Sequence, residues 1–67
     1  MSSYSRLIER LDPSVNGRHV EAFMRLEYGT LDHLAEDKFR EEIQTFKKSR
    51  EDYPDIDWEH SAKYLGI

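Results

Sequence analysis

Apolar residues recur along this chain at helical spacing. Leu7, Ile8 and Leu11 fall at i, i+1 and i+4, one face of a helix that the pattern places over residues 3–11. Ser2 or Ser3 is available to cap it. Asp12-Pro13 stops it, because the residue before a proline is driven out of the α region. The same pair equally suits the cap and first residue of a following helix. Next comes "NGRHVEAFMRLEYG", with Val20, Phe23 and Met24 at i, i+3 and i+4 and Glu27 at i+7. Asn16 is its expected N-cap and Gly29 its C′ residue. Thr30 then offers a hydroxyl to the amides after it, with Asp32 in the first turn. "TLDHL" reads as a short turn of helix with Leu31 and Leu34 pointing inward.

The strongest periodicity lies in residues 35–52. Phe39, Ile43, Phe46 and Arg50 fall at i, i+4, i+7 and i+11, a narrow apolar stripe. Glu36 and Asp37 at its start, and Lys47, Lys48 and Arg50 near its end, suit the helix dipole. Glu21 with Arg25, and Glu36 with Arg40, are acid-first i, i+4 pairs, each worth about 0.2–0.5 kcal/mol. Tyr53 precedes Pro54 and is expected to be extended. Asp55 is the expected N-cap of a last helix running through Leu65, with Gly66 as its terminator. Trp58, Ala62 and Leu65 form that helix's stripe, flanked by Ile56 and Tyr64. Strand-like alternation beside a turn pair is missing. The expected fold is all-α: one domain over residues 1–67, a compact bundle of three main helices plus one short helix or turn.

Sixty-seven residues with no cysteine change this picture in one respect. A chain of this size buries only about 60% of its unfolded surface, and it has neither disulfide nor thiolate–metal staples. Helix packing, self-association or a partner must supply what they would have supplied. Charged residues make up 36% of the chain and the net charge is −4. Residues 1–28 carry four basic and four acidic residues, whereas residues 29–67 carry six and ten. No apolar run is long enough for a membrane span, and the N-terminus lacks a secretory h-region. The expected location is cytoplasmic, with no membrane partner.

Catalytic and metal motifs are poorly served. His19, His33 and His60 form no i, i+4 pair, so an H-E-x-x-H site is not encoded. "HVE" lacks the cysteines of a zinc deaminase. "DIDWE" resembles the start of a calcium loop, but His60 stands where that loop needs glycine and Gly66 where it needs its bidentate glutamate. Ser61 follows His60 directly, which on a helix turns the two side chains about 100° apart. The three glycines are isolated, so no phosphate loop is built. No enzyme activity, cofactor or metal is expected. A site assembled from His and carboxylate groups on different helices is the one enzymatic version left open.

"RLEYGTLDHLAEDKFREEI" has the helix–glycine–helix outline of a DNA-reading element. The helix after the turn begins "AEDKFREE", however, and would push carboxylates at the phosphates. A capped corner between two packed helices is the expected role. Nucleic-acid binding, if present, would run through Arg6, Arg10, Arg18, His19 and Arg25.

The segment "NGRHVEAFMRLEYGTLDHLAEDKFREEI", residues 16–43, resembles a pattern in small uncharacterised helical proteins of bacterial plasmids, phages and integrated elements. There a "GRHVEA-MR" helix leads through "GTLD-L" into an "F--E" helix. The resemblance implies a bacterial mobile-element setting and no particular chemistry.

The expected function is a non-enzymatic interaction module that binds another protein or a second copy of itself. A regulator or inhibitor of a host protein is its specific form. The expected contacts are Tyr53, Asp55, Asp57, Trp58, Glu59, Glu41 and Glu42, with Glu36, Glu51 and Asp52 completing an acidic face able to enter a basic groove. Trp58 has an alternative role as a seal on the base of the bundle. A homodimer is compatible with the narrow stripe of the third helix and the small core.

Overall fold

Four helices carry the chain in the computed structural model, which describes residues 3–67: α1 (Ser3–Leu11), α2 (Gly17–Tyr28), α3 (Glu36–Asp52) and α4 (Trp58–Tyr64). No strand occurs among the described residues. The cap expected from Ser2 or Ser3 rests on side chains outside those described. α2 is the hub, with α1, α3 and α4 each packed against it; α1 also touches α3.

Both prolines turn corners in the same way. Val15 N–H bonds the Asp12 carbonyl at 3.3 Å, and Ile56 N–H bonds the Tyr53 carbonyl at 3.4 Å, so Pro13 and Pro54 each occupy the second position of a β-turn, where their fixed φ fits. Asp12 therefore ends α1 and does not begin α2. Its carboxylate accepts from the Ser14 amide and hydroxyl and pairs with Lys47 of α3. These contacts hold the Asp12 carboxyl down to about 2, the Lys47 bond first and the Ser14 bonds next.

Asn16 caps α2 through the Arg18 amide. Gly29 closes it at φ 80°, ψ −73°, and Thr30 N–H bonds back to the Tyr28 carbonyl. This is a γ-turn of the positive-φ kind, a conformation that asks for glycine. "TLDHL" is not the short helix expected. A single turn bond joins Leu34 N–H to the Leu31 carbonyl. Leu31 is buried and Leu34 half-buried, so the inward residues are as expected although the backbone is not. The Thr30 hydroxyl accepts the Asp32 amide at 3.4 Å, and Asp32 receives the Tyr4 hydroxyl instead of entering a helix.

α3 keeps its expected span, and Phe39, Ile43 and Phe46 are all buried. Arg50, the fourth position of that stripe, lays its guanidinium over the Phe46 ring. α4 starts later than expected. Asp55 is taken up in the Pro54 turn, so Asp57 caps the helix by accepting the His60 amide at 2.9 Å. At its far end Ile67 N–H bonds the Ala62 carbonyl and Gly66 N–H bonds the Lys63 carbonyl. That pair of bonds, with Gly66 at φ 76°, is a Schellman stop.

The core gathers Ile8, Val15, Val20, Met24, Leu31, Phe39, Ile43 and Phe46. Two polar groups lie inside it at the α1–α2 crossing: the Ser5 hydroxyl donates to Glu21 at 2.7 Å, and Arg25 closes on the other Glu21 oxygen at 2.8 Å. The crossing is tight because Gly17 has no side chain there, and its amide donates to Glu9 of α1 at 2.9 Å.

Candidate interaction surface

Much of the charge expected at a contact surface is engaged within the fold. Arg18 donates to Glu59 at 2.7 Å and to the Ile67 carbonyl at 2.9 Å, while His19 Nε2 meets the other Glu59 oxygen at 3.0 Å. This clamp ties α4 to the start of α2. His19 first, and Arg18 with it, hold the Glu59 carboxyl below its ordinary range. Arg25 is committed to Glu21. Of the five residues named for nucleic acid, Arg6 and Arg10 on α1 are exposed, and the other three are half-buried, Arg18 and Arg25 in ion pairs and His19 against Glu59.

Trp58 packs inward. Its ring meets Phe23 edge-on at 5.6 Å and Phe46 at 5.7 Å, and Phe23 meets Phe46 at 5.6 Å. The three aromatics join α2, α3 and α4, so the sealing role is the one the geometry displays. The indole N–H is buried without an acceptor among the described residues.

Glu42 is also internal, at 4% exposure. One oxygen receives the Tyr28 hydroxyl at 3.2 Å and faces Lys38 at 3.8 Å, while the other has no hydrogen-bond partner among the described residues. Burial, and then Glu27 beside it, push the Glu42 carboxyl above its ordinary value of 4.5; Tyr28 and Lys38 pull less strongly the other way. Ionising Glu42 thus costs more in the folded chain than in the unfolded one. Its contribution to stability is greatest below the ordinary glutamate range and falls as pH rises through the raised folded-state value. Glu42→Gln keeps an acceptor for Tyr28 and removes that charge. At neutral pH it is expected to stabilise the chain by on the order of 1 kcal/mol, and the difference from wild type should vanish in acid. Thermal melts of both proteins across the weakly acidic to neutral range check this; a neutral-pH loss of stability would refute it.

The residues left facing solvent are grouped. From Glu51 to Asp57 all seven residues are exposed. Within them Tyr53 is 63% and Ile56 43% exposed. Glu51, Asp52 and Asp55 enter no ion pair among the described residues, and Asp57 is occupied as the α4 cap. Glu41, exposed on α3, makes a loose 3.5 Å contact with Lys38.

A second uncovered area lies between α2 and α4, the helix that follows this connection. Leu26, His60, Ser61, Tyr64 and Leu65 line an open groove of about 280 Å³. Leu26 is 60% and Tyr64 84% exposed. Apolar spacing along α2 does not mark Leu26. Leu26 lies off the Val20–Phe23–Met24 stripe, and that displacement was the available signal. Tyr64 sits on the flank of the α4 stripe.

No family model, curated protein or solved structure matches this chain. Among the described residues, no group of three or more His, Asp or Glu side chains is placed to hold a metal ion. No described helix is long and apolar enough to cross a membrane.

Proposed function

We propose that this protein is a non-enzymatic interaction module whose contact surface is the α3–α4 connection. The observation that supports this is the uncovered pair Tyr53 and Ile56 set among Glu51, Asp52 and Asp55, carboxylates with no ion pair among the described residues. Exposed apolar side chains cost nothing when scattered, but a cluster rimmed with polar groups suits a protein contact. Aromatic anchors with charged neighbours have the composition of an interface core and rim. The complementary surface is an apolar pocket edged by Lys or Arg, and the carboxylates would steer its approach. Trp58, Glu42 and Glu59 are engaged within the fold and are left out of this surface. A cytoplasmic location and a role as a mobile-element regulator of a host protein belong to the same reading.

The test is affinity capture with wild type and with Tyr53→Ala/Ile56→Ser. The expected result is a partner retained by wild type, weakened by salt and lost with the double variant, while far-UV circular dichroism of the variant is unchanged. A partner held equally by both proteins would overturn the assignment of this surface.

A further inference from the structure

We infer that Asn16–Gly17 is a site of spontaneous deamidation that the α1–α2 crossing holds shut, and that the isoaspartate it yields cannot rebuild that crossing. The sequence supplies the chemistry. Asn16 is the chain's only asparagine, and glycine follows it. A glycine nitrogen is the least shielded nucleophile a main chain offers, because no Cβ screens it. It attacks the Asn16 side-chain carbonyl carbon as solvent base takes its proton. The N–Cγ bond forms, the Cγ–Nδ2 bond breaks, and ammonia leaves with a proton returned by solvent. Water then opens the cyclic imide. Opening at Cγ leaves aspartate; opening at the main-chain carbonyl leaves isoaspartate, whose chain runs through the former side chain and is longer by one methylene. Water is the only co-reactant.

The fold keeps the reacting atoms apart. Ring closure needs the Asn16 Cβ and the Gly17 nitrogen on one side of the Cα–C bond, and the extended backbone of Asn16, φ −83°, ψ 115°, separates them. Bringing them together turns the peptide plane between the two residues, and that plane is held at both ends. The Gly17 amide donates to Glu9 of α1 at 2.9 Å. The Asn16 carbonyl accepts the His19 and Val20 amides at 3.0 and 3.1 Å. The side chain is held too, since Asn16 Oδ1 accepts the Arg18 amide at 2.9 Å. Asn16 is exposed and Gly17 buried, so water reaches the side-chain amide while the ring stays open. Closure waits until α1 lifts from the start of α2, and the rate follows that local opening.

The two products part company at the same crossing. Aspartate keeps an oxygen for the Arg18 amide and adds negative charge at the positive end of α2, so that chain refolds. Isoaspartate puts an extra methylene between residue 16 and the Gly17 peptide. The main chain at Gly17 has no room to move toward α1, because even a Cβ there would lie 2.1 Å from the Ser5 carbonyl oxygen. Moving away from α1 breaks the Glu9 bond. Each opening therefore risks a change that the fold accepts in one form and rejects in the other.

The test ages wild type in mildly alkaline buffer, with and without enough urea to unfold it. Peptide mapping that separates asparagine, aspartate and isoaspartate follows residue 16. The folded chain should react at least about tenfold more slowly than the unfolded one, by its opening equilibrium. Glu9→Ala, which frees the Gly17 amide, should react faster than wild type in native buffer and at the wild-type rate in urea. Should that variant not fold, wild type in urea below its transition replaces it, and its rate should climb with urea. A chain synthesised with isoaspartate at position 16 should melt well below Asn16→Asp, which should melt no lower than wild type. Equal rates for folded and unfolded wild type, no isoaspartate from the unfolded chain, a folded Glu9→Ala chain reacting no faster than wild type, or an isoaspartate chain melting with Asn16→Asp would overturn the proposal.

Discussion

Gly17→Ala is expected to destabilise this protein by about 3 kcal/mol or more, the overpacking cost of a side chain forced into a filled space. Glycine at the first position of a helix is ordinarily easy to replace, and alanine should improve the helix by up to about 1 kcal/mol. Here the neighbour decides. A Cβ on Gly17 would lie 2.1 Å from the Ser5 carbonyl oxygen and 2.9 Å from Glu9 Cγ. The first of these is main chain inside α1 and cannot swing away. α1 would have to withdraw from α2, stretching the Glu9–Gly17 and Ser5–Glu21 bonds that cross the same gap. A core of this size rarely supplies more than about 3–5 kcal/mol in total, so the variant should be largely unfolded at room temperature. Gly66→Ala serves as the control. A Cβ there meets nothing within 4 Å, and the cost is that of its left-handed backbone, about 1–2 kcal/mol. Urea or thermal unfolding followed by circular dichroism compares the two. A Gly17→Ala protein that melts with wild type would mean α1 does not lie on α2 as described.

That crossing is also where the sequence was least legible. Helices α1 to α3 and the buried Phe39, Ile43 and Phe46 follow from apolar spacing, because period 3.6 records which face is driven from water. Apolar spacing is blind to a crossing built from Gly17, Ser5 and Glu21. A clue was present: Gly17, Val20, Glu21 and Met24 share one face at i, i+3, i+4 and i+7, and all four are buried. Reading it required treating a glycine and a glutamate as core residues. The late start of α4 has a different origin. Asp55 and Asp57 are both good caps by type, and the choice fell to Pro54, whose turn claims Asp55. Trp58 turned inward because Phe23 and Phe46 stand beside it, residues far off in the chain that local spacing cannot place. At the surface, the proline and the run of acids marked residues 51–57 as a connection. The groove around Leu26 depended on the packing of α4 against α2, and no local pattern reports that.

Glu21→Ala is the second large effect, with an expected loss of about 2–4 kcal/mol. Glu21 is 1% exposed, with Ser5 on one oxygen and Arg25 on the other. Arg25 in turn lies over the Tyr4 ring at 5.7 Å. Tyr4 stacks on Phe39 at 5.9 Å and donates its hydroxyl to Asp32. One buried carboxylate therefore orients a chain of contacts that joins α1, α2, the α2–α3 connection and α3. Arg25→Ala should also destabilise, for a different reason: Arg25 is partly exposed, whereas the Glu21 carboxylate that loses this contact is buried. Removing one partner of a buried pair is costly from either side, so Arg25→Ala is expected to cost at least half as much as Glu21→Ala despite its exposed position. Once Glu21 is alanine, removing Arg25 should matter little, and the double variant should be more stable than additivity predicts by about 1–3 kcal/mol. Urea denaturation of the four proteins gives that coupling energy directly. Additivity within about 0.5 kcal/mol would show that Glu21 and Arg25 act separately, and that the internal carboxylate is held by α1 rather than by its neighbour on α2.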